Sequence, residues 1–187
     1  MSRKISPRSK PTARRPGAGL RPGFPRIVAR GRVKVVAAES HGEPAKAAQQ
    51  VLPSLFQTAY RLKFSLKGAA RKRFHVGPLA ARWPIPGDRP KEEWVGLWAL
   101  PVPAGTRRLP TNGTDMPVRL ETWDYGGRVA EILHVGPWSE EKPTIDRLHA
   151  YIREQGYEIA GAHEEEYLTT PKAKIQKTII RYPVRRA

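Results

Sequence analysis

The feature that most constrains this chain is an order of segments that occurs twice. A β-branched run, RVKVVAA (32–38), leads into a helix-periodic stretch over 45–66, and extended runs follow at 71–85 and 92–100. After a Gly/Pro/Thr-rich linker (103–117) the order returns: VRLETWDY and RVAEILHV, a helical stretch within 136–157, then strands at EEYLTTP and KTIIRYPV (177–184). Each half supplies a strand–helix–strand–strand unit. Two such units joined side by side predict an α+β fold: a tandem pseudo-two-fold repeat whose antiparallel sheet carries both helices on one face. The other face is free to line a central ligand cleft between the halves, about 27–105 and 116–187, since ligands favour such junctions.

Local signals refine this. SHGEP (40–44) reads as a turn into the first helix, with Pro44 tolerated in its first turn. Val51, Leu55, Leu62 and Leu66 form its apolar stripe, and Pro53 is expected to kink or restart it. Phe56 and Phe64 are expected in the core. Gly126-Gly127 between two strand patterns reads as a two-residue hairpin. For the second helix, Ser139 is the expected N-cap, Gly156 the C-terminal stop, and Ile145, Leu148 and Ile152 the buried stripe.

Charge sets residues 1–38 apart. They hold eleven Lys/Arg and no acid, so they supply +11 of the formal +17 and leave +6 on the remainder. Residues 1–26 read as a disordered basic arm ahead of a domain at 27–187. Such an arm suits nucleic acid contact, a solubilising tail or a transit segment, although its prolines oppose an amphipathic helix. GAGLRPG (17–23) lacks the preceding strand and the spacing of a phosphate loop. No apolar run reaches transmembrane length, so no membrane association is expected. The chain has no cysteine, which excludes disulfides, thiolate metal sites and a cysteine nucleophile and fits a cytoplasmic setting. The five histidines show no metal spacing, so neither metal nor cofactor is expected; His134 and His149 read as structural.

The run AHEEEYLTTP (162–171) is the chemical question. Three consecutive glutamates are ordinarily solvated charge. On a strand, however, His163, Glu165 and Tyr167 share one face, and Glu164, Glu166 and Leu168 the other. Glu164 and Glu166 are left as solvated charge. A carboxylate beside a phenol and aromatic walls is desolvated toward the general-base range. Five tryptophans in 187 residues supply flat walls, or ordinary core.

EILHVGPWSEEKPTIDRLHAYIREQGYE, EEEYLTTP and KTIIRYPV together resemble the GyrI-like small-molecule-binding family, as do QTAYRLKFSLK (57–67), PLAARWP (78–84) and EEWVGLWALPVP (92–103) less strongly. The resemblance implies a two-fold-related α+β fold similar to the effector-binding domains of multidrug-sensing transcription activators. One branch hydrolyses cyclopropane-bearing DNA alkylators of the yatakemycin and CC-1065 type. Its His-x-Glu-x-Tyr-Leu pattern falls on His163 to Leu168, which makes Glu165 and Tyr167 the implied catalytic pair. Trp83, Trp138 and Tyr60, and less strongly Trp98, become the implied ligand-binding residues for a flat aromatic molecule. Ala80 and Pro84 depart from the family's Leu-Glu-Gly-Leu-Trp-Trp strand. The alternative to a hydrolase is a non-catalytic sensor or sequestering protein with the same cleft. The sequence leaves the oligomeric state open.

Overall fold

Nine strands and three helices follow from these patterns in the computed structural model, which describes residues 19–84, 89–110 and 113–187. In chain order they are β1 (Arg26–Arg30), β2 (Val33–His41), α1 (Pro44–Ser65), α2 (Gly68–Arg73), β3 (Leu79–Trp83), β4 (Val95–Pro101), β5 (Arg119–Trp123), β6 (Gly127–Val135), α3 (Lys142–Glu154), β7 (Tyr157–Ile159), β8 (His163–Tyr167) and β9 (Lys177–Arg186). The sheet order is β1-β6-β9-β8-β3-β4-β2-β5, with β7 added beside β9 and every neighbouring pair antiparallel. Read from its centre outward, this order is the expected repeat. β8-β9-β6 with α3 mirrors β3-β4-β2 with α1 about the central β3–β8 pair.

The outer strands are exchanged between the halves. β1 runs into β2 through two residues, yet it pairs with β6; β5 runs toward β6, yet it pairs with β2. This corrects the expected hairpin. Gly126 and Gly127 do turn the chain, at φ of +63° and +91°, but the strands they join do not pair with each other. β1 and β2 stand six strand spacings apart in the sheet order, about 29 Å if the sheet were flat. The step from Arg30 to Val33 spans at most about 11 Å. The sheet must therefore curl until its ends approach, and two short crossings, one per half, hold it so.

Residues 22–26, expected within the arm, reach the sheet. Residues 1–18 lie outside the described residues. Pro22 bridges to Leu133, the Gly23 amide donates to the Leu133 carbonyl at 3.1 Å, and Arg26 opens β1. α1 runs through Pro53 as one helix, started by Pro44 and capped by Glu43, whose carboxylate accepts from the amides of Ala45 and Lys46 at 3.1 and 3.0 Å. Residues 71–73, expected to be extended, belong to α2. α3 begins at Lys142 rather than near Ser139, which sits in a short 3-10 turn.

Strand alternation gives the sheet two different faces. On one, α1 buries Val51, Leu55 and Leu62 over β2 and β4, and α3 buries Leu148 and Ile152 over β6 and β9. The central strands β3 and β8 lie between the two helices and are covered by neither, which leaves a helix-flanked trough over them on the helix-bearing face. The opposite face, expected to line a cleft, is largely packed and keeps one cavity of about 300 Å³ at Arg82, Tyr125 and Pro183. It carries Val35, Ala37, Ala80, Ala99, Trp123, Tyr125 and Val129 inside the curl. Across it, register lines up a row of alternating charge through five strands: Arg82, Glu164, Arg181, Glu131, Arg26. Arg181 donates to Glu131 at 3.0 Å and Glu164 at 2.8 Å, and Arg82 Nε donates to Glu164 at 2.8 Å. Glu166 takes Arg181 at 3.3 Å and Arg30 at 3.5 Å. The Tyr125 hydroxyl donates to Glu164 at 2.9 Å, and Trp123 and Tyr125 cover the Arg82 guanidinium. Glu164 is fully buried and Glu166 nearly so. Their expected role as solvated charge is thus overturned, because buried carboxylates persist where cations meet them.

Candidate functional site

The trough floor is a row of residues in register on the helix-bearing face: Ala38, Trp98, Ala81, Glu165, Ile180. Ala81, which stands between Trp98 and Glu165 in this row, adds only a methyl to the floor. Tyr167 is one pleat along from Glu165 on the same face, so the expected grouping of His163, Glu165 and Tyr167 on one face holds.

Glu165 is held from its own strand. With the carboxylate as acceptor, His163 Nε2 is the donor, at 3.0 Å. The tautomer that follows receives the Tyr182 hydroxyl hydrogen at Nδ1, at 2.7 Å. This Tyr182–His163–Glu165 chain fixes the carboxylate in orientation. Burial, with the nearby charges of Glu141 and Glu165, holds the Tyr182 phenol well above its ordinary value. Tyr167 is likewise pushed well up, first by burial and then by the adjacent Glu165 carboxylate.

Glu141 is the residue the sequence reading missed. It ends the turn before α3 and reaches down toward Glu165. Burial first, and the charge of Glu165 second, push its carboxyl up to about 8. Its Oε2 is buried without a hydrogen-bond partner. Its only sequence signal is the SEE segment before a helix, which reads equally well as acid near a positive helix end. Glu141, His163 and Glu165 each bring one ligand-capable atom within 4.8 Å of the others, the one group among the described residues that could offer a cation three ligands. His163 and Glu165 already satisfy each other by a hydrogen bond.

Aromatic rings make the walls. Tyr167 stacks on Trp98 with centroids 6.2 Å apart and meets the edge of Trp138 at 5.5 Å. Trp83 meets Trp98 at 5.4 Å and Trp94 at 5.6 Å. Trp98 is anchored by its N–H to the Ser40 hydroxyl at 2.7 Å, and Trp138 by its N–H to the Thr178 hydroxyl at 3.1 Å. The packing depends on Gly96. A Cβ there would lie 2.9 Å from the Trp83 ring, from Trp98 Nε1 and from Ser40 Oγ alike. The Trp83 N–H and His149 Nε2 are buried without partners. Burial, then the neighbouring His163, lowers the His149 pKa.

The structure thus brings together Glu165, Tyr167, Trp83, Trp98 and Trp138. It does not bring Tyr60, which is 45% exposed and stacks on Phe64, itself 59% exposed rather than in the core. Of the two departures from the family pattern, Ala80 faces the opposite side of the sheet, packed in the interior of the curl, and Pro84 lies beyond the end of β3. Cavities of about 300 and 430 Å³ open elsewhere, at Arg82–Tyr125–Pro183 and at Leu66–Phe74–Val102. Around Glu165, Trp83, Trp98, Trp138 and Tyr167 pack ring against ring.

No protein-family model matches the sequence, and no curated protein matches it. Solved structures do match. An uncharacterized conserved protein from Listeria innocua is 25% identical, with a TM-score of 0.73 over 88% of this chain and 93% of that one. A hydrolase from Listeria innocua is 22% identical, with a TM-score of 0.71 over 90% and 95%. The C-terminal domain of EcmrR is 10% identical, with a TM-score of 0.57 over 88% and 98%. The chain therefore shares its overall α+β fold with these proteins, an arrangement consistent with the GyrI-like fold.

Proposed function

We propose that this protein binds a flat aromatic small molecule in the trough and hydrolyses it, opening the cyclopropane ring of DNA-alkylating natural products of the yatakemycin and CC-1065 type. The observation that carries the reading is the oriented Glu165 carboxylate, held by His163 and Tyr182 at the floor of an aromatic trough. Glu165 takes a proton from water as the water oxygen forms a bond to the strained methylene carbon. The ring C–C bond breaks, and its electron pair passes into the conjugated carbonyl, whose oxygen takes up a proton to become a phenol. The net change is addition of one water. Glu141 keeps its proton up to about pH 8 and so offers Glu165 and its water a neutral neighbour rather than a second negative charge. Tyr167 keeps its phenolic hydrogen and can donate it to the same water or to the developing oxygen anion. Such acid–base assistance is worth about 10²–10⁴-fold, a useful factor on a substrate already strained.

The sensor reading has one observation in its favour: Trp83, Trp98, Trp138 and Tyr167 are in mutual ring contact, so a ligand that enters between them displaces rings, as in a binding-coupled switch. Incubation with a cyclopropane-containing alkylator separates the two. Hydrolysis predicts a ring-opened, hydrated product with repeated turnover. Saturable binding with the compound recovered intact would replace the hydrolase with the sensor.

A further inference from the structure

We infer that the outer surface made by the end of α1, by α2 and by the start of the following segment is a platform for single-stranded nucleic acid. Residues 44–75 carry seven Lys/Arg and no Asp or Glu. Five of them, Lys63, Lys67, Arg71, Lys72 and Arg73, cluster at one end, and among the described residues none makes an ion pair with a carboxylate. α2 buries no residue at all, so its cations serve no core. Lys63 near the C-terminus of α1 answers the helix dipole. Arg71, Lys72 and Arg73 fall in the last turn of α2, where cations are also favoured, but three on one six-residue helix exceed that need.

Charge alone would suit any polyanion. The aromatic rings narrow it. Tyr60 and Phe64, one helical turn apart, are 45% and 59% exposed and lie nearly parallel, 25° between planes with centroids 6.3 Å apart. The Arg71 guanidinium sits 4.9 Å from the Phe64 centroid. Exposed flat rings beside unpaired cations are what successive bases and phosphates of a single strand need. A few residues further on, the cavity of about 430 Å³ is lined by Ala70, Arg73, Phe74 and His75, with room for an unstacked base. A duplex hides its base faces and could use the cations only. An anionic lipid surface fits less well. The apolar stripe of α1, Val51, Leu55 and Leu62, is already buried against the sheet, which leaves two rings rather than an apolar face to sink into a bilayer.

The test uses the full chain, a fluorescently labelled 20-nucleotide oligothymidylate, the corresponding duplex, and vesicles containing anionic lipid. Tyr60→Ala/Phe64→Ala should weaken single-strand binding about tenfold or more and leave duplex binding nearly unchanged. Arg71→Glu/Lys72→Glu/Arg73→Glu should weaken both and flatten the fall of affinity with salt. Thermal unfolding matching that of the parent chain confirms that each variant is folded, as expected for exposed positions. The basic N-terminal arm is present in every variant, so a loss belongs to the platform. Equal single-strand binding by the aromatic variant, or binding to anionic vesicles with none to oligothymidylate, would overturn the inference.

Discussion

At the scale of single residues, the alternation of side chains along His163–Tyr167 decides everything. Odd-numbered positions meet the trough, and even-numbered ones meet Arg181 and Arg82 on the far face. Glu165→Gln should keep the fold and ligand binding and lower turnover by about 10²-fold or more, measured by product formation under saturation. Glu141 gives a pH signature. Its carboxyl rises from an ordinary 4.5 to about 8 in the folded protein, so its contribution to stability is fully present below 4.5 and is lost as pH rises through about 8. Urea unfolding should show stability declining over that window, and Glu141→Gln should flatten the decline. A profile of the same slope in both proteins would remove Glu141 from the account. The trough face of the 163–167 run was legible because a strand has a period of two. The far face was not. Glu164's partners Arg181 and Arg82 lie 17 and 82 residues away in sequence, and nothing local announces them.

At the scale of elements, two arrangements hold the site in register. The charge row ties β3, β8, β9, β6 and β1 together, and sliding any strand by one residue would turn its charge to the wrong face. Burial opposes ionisation of Glu164, yet Arg181 and Arg82 hold its carboxyl below the ordinary 4.5. Its contribution is therefore present above that value and lost as pH falls through the lowered one. Arg181→Met would leave three buried carboxylates without their shared cation and should cost about 3–5 kcal/mol in chemical denaturation. The second arrangement is the contact of Gly96 with Trp83 and Trp98. Gly96→Ala should cost about 1–3 kcal/mol and shift tryptophan emission, because the added methyl displaces rings that have no free space. Helices α1 and α3 and most strands were readable from apolar spacing. The exchange of β1 and β5 was not, since Gly126-Gly127 carries the same local signal whether the flanking strands pair with each other or part.

On the scale of the whole molecule, the repeat places two helices on one face of a curled sheet and leaves the β3–β8 seam between them. The seam is thus the place where side chains from both halves meet, with Trp83 and Trp98 from one and Glu165, Tyr167, Trp138 and Glu141 from the other. Among the described residues no helix is long and apolar enough to cross a membrane. The central claim is that Glu165 activates water at this seam. The most direct measurement incubates the protein and its Glu165→Gln variant with a cyclopropane-containing alkylator in isotopically labelled water and follows the product by mass. The account predicts a ring-opened product that carries the labelled oxygen, formed over many turnovers by the parent protein and nearly absent with the variant. Product formed equally by both, or at the rate seen without protein, would contradict it.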